Sequence, residues 1–147
     1  MAMRNFIYPA RLTPDTETGG YVVTFRDVRG AVTQGDDLAS ALTEAQDCLD
    51  EAITGCIKRG NELPLASRPR KGEHLIPLPA LMAAKASLYL AMRSLEISNV
   101  KLAKLMGCDE KEVRRMLSPR HQTKIARIQE ALRLLGKRLL VSLDDAA

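Results

Sequence analysis

The side chains in this chain best suited to binding chemistry are cations. Lys111, Arg114 and Arg115 interleave with Val113 and Met116, so a helix through them buries the two apolar side chains and turns the three positive ones outward. Arginine pairs bidentately with guanine, which makes Lys111, Arg114 and Arg115 candidate base readers. Glu110 is a candidate acceptor from cytosine, or a complement to the positive end of the helix. Asn99, Arg120, Thr123 and Lys124 flank these residues and are expected to hold phosphates, which orients a protein on a duplex without reading its sequence. His121 stands among them, and a lone histidine is more often incidental.

Carboxylates offer a second chemistry. Asp27, Asp36 and Asp37 could begin a two-metal centre of the kind that cleaves phosphodiesters. Simpler readings exist: Asp27 as a turn former ahead of Gly30, and Asp36 or Asp37 as the cap of the helix that follows. The expected strands bring no further acids, so no catalytic residue, metal site or cofactor is expected.

The cations need a scaffold, and Ser98 to Leu117 has the pattern of a helix-turn-helix. Ala103 is small where two helices must nearly touch, and Gly107 can take the left-handed conformation of the turn. Asp109 caps the second helix with Glu112 placed as in a capping box, and Ser118 before Pro119 closes it. A preceding helix carries Leu81, Ala84, Leu88, Met92 and Leu95 on one face. A following one, Thr123 to Leu135, carries Ile125, Ile128, Leu132 and Leu135, with Gly136 as its stop. Arg138, Leu139, Leu140, Val141, Ser142 and Leu143 read as a strand without a partner in a helical domain, and such a strand invites pairing with its copy in a second chain. The competing reading continues the last helix through Gly136. A single domain of this size buries little surface on DNA, so a homodimer, or a homotetramer of paired dimers, is expected, with half-sites about 34 Å apart.

Before Pro79 the pattern is different. Asn5–Leu12 and Tyr21–Phe25 read as a hairpin, Ala31–Gln34 as a third strand and His74–Leu78 as a fourth at the sheet edge. Between the third and fourth, Leu38, Leu42, Ala45, Leu49, Ile53 and Ile57 mark a long helix ending at Gly60. Residues near 64–72 form a proline-containing basic loop. Charge divides the chain in the same way. Met1–Ala66 carries six basic residues against ten acidic, whereas Ile76–Ala147 carries thirteen against seven. An acidic front and a basic back predict two domains, 1–78 and 79–147, with different partners, the basic one suited to a polyanion. Cys48 and Cys56, roughly 12 Å apart along a helix, and Cys108 are expected to be reduced, as in a cytoplasmic protein. No apolar run is long enough to span a membrane.

The run Tyr21-Val22-Val23-Thr24-Phe25-Arg26-Asp27-Val28-Arg29-Gly30-Ala31-Val32-Thr33-Gln34-Gly35-Asp36 resembles the HicB antitoxin family. The back half, with Ala84, Lys85, Leu88 and Met92, then the two-helix motif and Gly136-Lys137-Arg138-Leu139, resembles the helix-turn-helix domain that many members carry. The resemblance implies an α+β front domain of reduced RNase H-like fold, followed by an all-helical domain with a candidate C-terminal strand. It implies an antitoxin that occludes HicA, a small mRNA-cleaving toxin, and represses its own operon through operator DNA. Asp15, Glu17, Asp27 and Arg29 on the hairpin side are the expected toxin contacts. Arg29 stands where relatives often have proline and Ala31 where many have a larger residue; neither threatens the fold. A rival of another class is a solitary DNA-binding regulator whose front domain senses another protein or a small ligand.

Overall fold

The computed structural model describes residues 3–145; Met1, Ala2, Ala146 and Ala147 lie outside the described residues. The chain divides into two compact units, Met1–Ala83 and Ala84–Ala147. The boundary falls inside a helix, a little beyond the change of pattern at Pro79.

In the first unit, β1 (Ile7–Pro14), β2 (Tyr21–Thr24), β3 (Val32–Gly35) and β4 (Glu73–Pro77) form an antiparallel sheet ordered β3-β2-β1-β4. Thr13 pairs with Val22, as expected of the hairpin, and Tyr8 pairs with Ile76 on the returning edge strand. Each strand lies within two residues of its expected bounds, because hydrophobic pattern sets the face while partners set the ends. Pro9 sits where β1 has only β4 beside it, so one side of the strand needs no donor there.

Helix α1 (Leu38–Lys58) covers the sheet. Asp37, not Asp36, is its cap: the Asp37 carboxylate accepts from the Ser40 N–H at 2.7 Å, and Ser40 Oγ accepts from the Asp37 N–H at 3.1 Å. The same bonds hold the Asp37 carboxyl below its usual range. The buried stripe is Ala41, Ala45, Leu49 and Ile53, facing a core of Tyr8, Ala10, Val23 and Ile76. Leu38 was expected in that stripe but is exposed, and Leu42 and Ile57 lie at its margin. The cause is closeness. A Cβ on Gly35 would overlap the backbone of Ser40 and Ala41, so the helix rests on the strand end and small residues line the contact.

Helix α2 (Ala80–Leu95) crosses the boundary and ends where Glu96 takes a left-handed conformation, φ 53°. In the second unit Ala84, Leu88 and Met92 are buried as expected, joined by Lys85, Ala86, Tyr89 and Ala91, while Leu95 is exposed. Helices α3 (Asn99–Met106), α4 (Glu110–Leu117) and α5 (Ile125–Leu134) follow. Ile128, Ala131 and Leu132 of α5, with Leu135 just beyond its end, fill the core; Ile125, expected inward, is exposed at the first helical position. Gly136, φ 74°, stops α5, and the Lys137 N–H returns to the Leu132 carbonyl at 2.8 Å. Residues 137–145 are neither helix nor strand. The continued helix is thereby corrected, since a left-handed Gly136 breaks it. The strand over Arg138–Leu143 is also not formed in the single chain, where it has no ladder to join.

Candidate nucleic-acid interface

Two short helices at a tight turn carry the candidate site. Ser98 caps α3, its side chain accepting from the Lys101 N–H at 3.1 Å, and Gly107 at φ 68° ends it in the left-handed region. Asp109 caps α4 by accepting from the Glu112 N–H at 2.9 Å. Ala103 is buried between the helices, as its size requires, and Val113 and Met116 are fully buried beneath α4. With those two facing in, Lys111, Arg114 and Arg115 are exposed on the opposite side.

Lys111, Arg114 and Arg115, with Ser118 and His121, line one shallow open concavity. The histidine that seemed incidental in sequence is therefore part of the basic surface. Glu110 opens α4 and lies 3.9 Å from Arg114 across one turn, both groups staying largely solvated, so the pair contributes little. Arg120 and Lys124 are exposed on the connection to α5. Asn99, half-buried, sits apart from them at the start of α3, beside Tyr89, Ile97 and Leu117.

Two of the singled-out residues have partners inside the unit. The Glu112 side chain does not complete a capping box: its Oε1 accepts from Arg127 of α5 at 2.8 and 3.2 Å, and Arg127 also reaches Glu130 at 2.8 Å. Thr123, expected on phosphate, is half-buried, and its hydroxyl is committed inside the unit. It accepts from Lys85 Nζ at 2.9 Å and lies 3.4 Å from the Arg115 carbonyl.

Lys85 is a basic residue that is not part of the exposed basic surface. Its side chain is fully buried, and Nζ donates to the carbonyls of Arg115 at 3.2 Å and Met116 at 3.1 Å as well as to Thr123. Three ammonium protons meet three acceptors, two of them at the negative end of α4. Burial nonetheless pushes its pKa down from 10.5 to about 8. The signal was present in the sequence, since Lys85 falls on the same stripe as Leu81, Leu88 and Met92.

In the first unit, the hairpin between β1 and β2 presents Glu17 to solvent, while Asp15 Oδ1 accepts from the backbone N–H groups of Glu17 at 3.0 Å and Thr18 at 3.4 Å. Hydrogen bonds from Thr18 and Glu17 keep the Asp15 carboxyl low. Arg29 is exposed beside Gly30, whose φ is 80°. Asp27 is differently employed: both carboxylate oxygens accept from Ser67, N–H and hydroxyl, at 2.7 Å. It anchors the proline-containing basic loop. Arg26 does the same by forking onto Glu73 at 2.9 and 3.0 Å and donating to the Arg68 carbonyl at 2.6 Å. Those bonds, with the Arg70 N–H, hold the Glu73 carboxyl at about 2. Among the described residues, no three His, Cys, Asp or Glu side chains come together as a metal site, and no helix is long and apolar enough to cross a membrane.

Known proteins resemble this chain along most of its length. A family model described as the HicB_like antitoxin of bacterial toxin-antitoxin system matches residues 7–87. Antitoxin HicB of Escherichia coli (strain K12) is 37% identical over 132 residues, covering 90% of this chain and 95% of the relative. Antitoxin HicB 2 of Photorhabdus laumondii is 40% identical over 136 residues, covering 92% and 95%, and Antitoxin HicB 1 of the same organism is 32% identical over 142 residues, covering 97% and 90%. With a sheet-and-helix unit where the family model matches, and relatives spanning both units, the chain belongs to the HicB-like antitoxins of bacterial toxin–antitoxin systems.

Proposed function

We propose that this antitoxin binds and occludes a HicA-like mRNA-cleaving toxin through its first unit, and represses its own operon by reading operator DNA with α4. The observation that carries the DNA half is the pair α3 and α4 about Gly107. Val113 and Met116 face in, and Lys111, Arg114 and Arg115 face out around one concavity in the basic half of the chain. An eight-residue helix exposing one basic face fits the major groove, where its N-terminal half meets base edges. Arg120 and Lys124 are suited to the adjoining phosphates. Asn99 stands at the N-terminus of α3, where an amide and free backbone N–H groups favour an anion.

Toxin binding is assigned to the hairpin side of the acidic unit, with Glu17 and Arg29 as exposed contacts; Asp15 shapes the turn that presents Glu17, and Asp27 ties its segment to the basic loop through Ser67. Charge complementarity to a basic toxin supplies steering and register. The first unit is read as a reduced RNase H-like fold without catalysis, since Asp37 caps a helix and Asp27 holds a loop. Leu140, Val141 and Leu143 are exposed apolar side chains on an unpaired tail, which supports pairing with a second copy as homodimer or homotetramer.

Co-expression with any short basic open reading frame found beside the gene tests the toxin half. The antitoxin relieves growth arrest and co-purifies with that product; arrest that persists with no complex refutes the assignment.

A further inference from the structure

We propose that Lys85 is a positioning residue for DNA reading: from within α2 it fixes the angle at which α4 presents its basic face. This rests on the assignment of α4 as the reading helix and adds what holds that helix in place.

Helix α4 is only eight residues long, too short to define its own direction by packing two side chains, Val113 and Met116. Polar pins act at both ends. Near the N-terminus, Asp109 caps the backbone and Glu112 is tied to Arg127 of α5. At the C-terminus, the carbonyl of Met116 and that of Arg115, which also accepts from the Ser118 N–H at 3.2 Å, converge on Lys85 Nζ. The third proton goes to Thr123, whose hydroxyl lies 3.3 Å from His121 Nδ1. One buried ammonium thus gathers the end of α4 and the segment that brings His121 to the basic concavity.

Stability alone does not call for this arrangement. An apolar side chain of equal length would fill the space without the desolvation cost of a buried charge, a gain set against the acceptors it would leave without their donor. What the apolar side chain lacks is direction: hydrogen bonds constrain angle, while dispersion contacts tolerate a helix that tilts or slides. Base reading depends on that angle. Phosphate attraction does not.

The test compares Lys85→Met with the unchanged chain in the full-length protein. Affinities are measured for a duplex spanning the region upstream of its own gene and for a scrambled duplex of equal length, alongside thermal unfolding. Lys85→Met is expected to remain folded and to lose roughly tenfold or more in affinity for the upstream duplex, with the scrambled duplex bound as before. Thr123→Val, which deletes one acceptor and leaves the lysine in place, should lose specificity in the same direction by a smaller factor. A folded Lys85→Met that discriminates as well as the unchanged chain overturns the proposal. So does a parallel fall in both affinities that tracks lost stability. If Lys85→Met fails to fold, Thr123→Val decides: unchanged discrimination in that variant overturns the proposal. If the unchanged chain itself does not prefer the upstream duplex, the DNA-reading assignment fails instead.

Discussion

The same residue type serves two unlike purposes here, and burial separates them. Lys111 is solvated and available to a polyanion, whereas Lys85 has no contact with solvent and holds three acceptors. Its lowered pKa has a signed consequence. Below pH 8 the amine is charged in both folded and unfolded chains; between about 8 and 10.5 the folded chain has released a proton that the unfolded chain keeps. Folding stability therefore gains from this group as pH rises through that window, by up to about 3 kcal/mol. Cys48, whose thiol is raised by burial, acts in the opposite sense above its unfolded value, so the comparison must be differential. Urea unfolding of the unchanged chain and Lys85→Met at pH 7, 9 and 10 should show their stability difference moving in favour of the unchanged chain as pH rises. A constant difference would mean that the amine is not desolvated. At this scale the sequence was only partly legible. Exposed Arg114 and Arg115 followed from their apolar neighbours, but the engagements of Thr123, Glu112 and Asp27 depend on partners 8 to 40 positions away, which local spacing cannot show.

Among the elements, the Val-Thr-Gln-Gly run that pointed to the family has a mechanical explanation. Gly35 ends β3 where α1 touches the sheet, and any side chain there would meet the backbone at Ser40 and Ala41. Backbone cannot give way as a flexible side chain can. Gly35→Ala should consequently destabilise the first unit by about 2 kcal/mol or more, the range for overpacking a close contact. Thermal unfolding with toxin-complex formation measures it, and an unchanged midpoint would show that the helix does not seat on this strand. Helices with strong periodicity and caps were legible because α3 and α4 carry their own start and stop signals in Ser98, Gly107 and Asp109. The tail after Gly136 was not, since a strand needs a ladder and the sequence of one chain does not supply its partner.

For the whole molecule, the acidic Met1–Ala66 lies within the first compact unit and most of the basic Ile76–Ala147 within the second, and the family match and the basic concavity fall largely on different ones. That separation underlies the proposed division of labour: one end holds a toxin, the other reads a promoter. Arg114 and Arg115 are exposed and support no core contact, so their replacement changes charge with little effect on folding. The most direct measurement is binding by the double variant Arg114→Ala, Arg115→Ala to both partners under matched salt. The account predicts that affinity for the upstream duplex is abolished, with a shallower dependence on salt, while toxin binding stays within about twofold. Equal loss of both activities, or undiminished DNA binding, would contradict it.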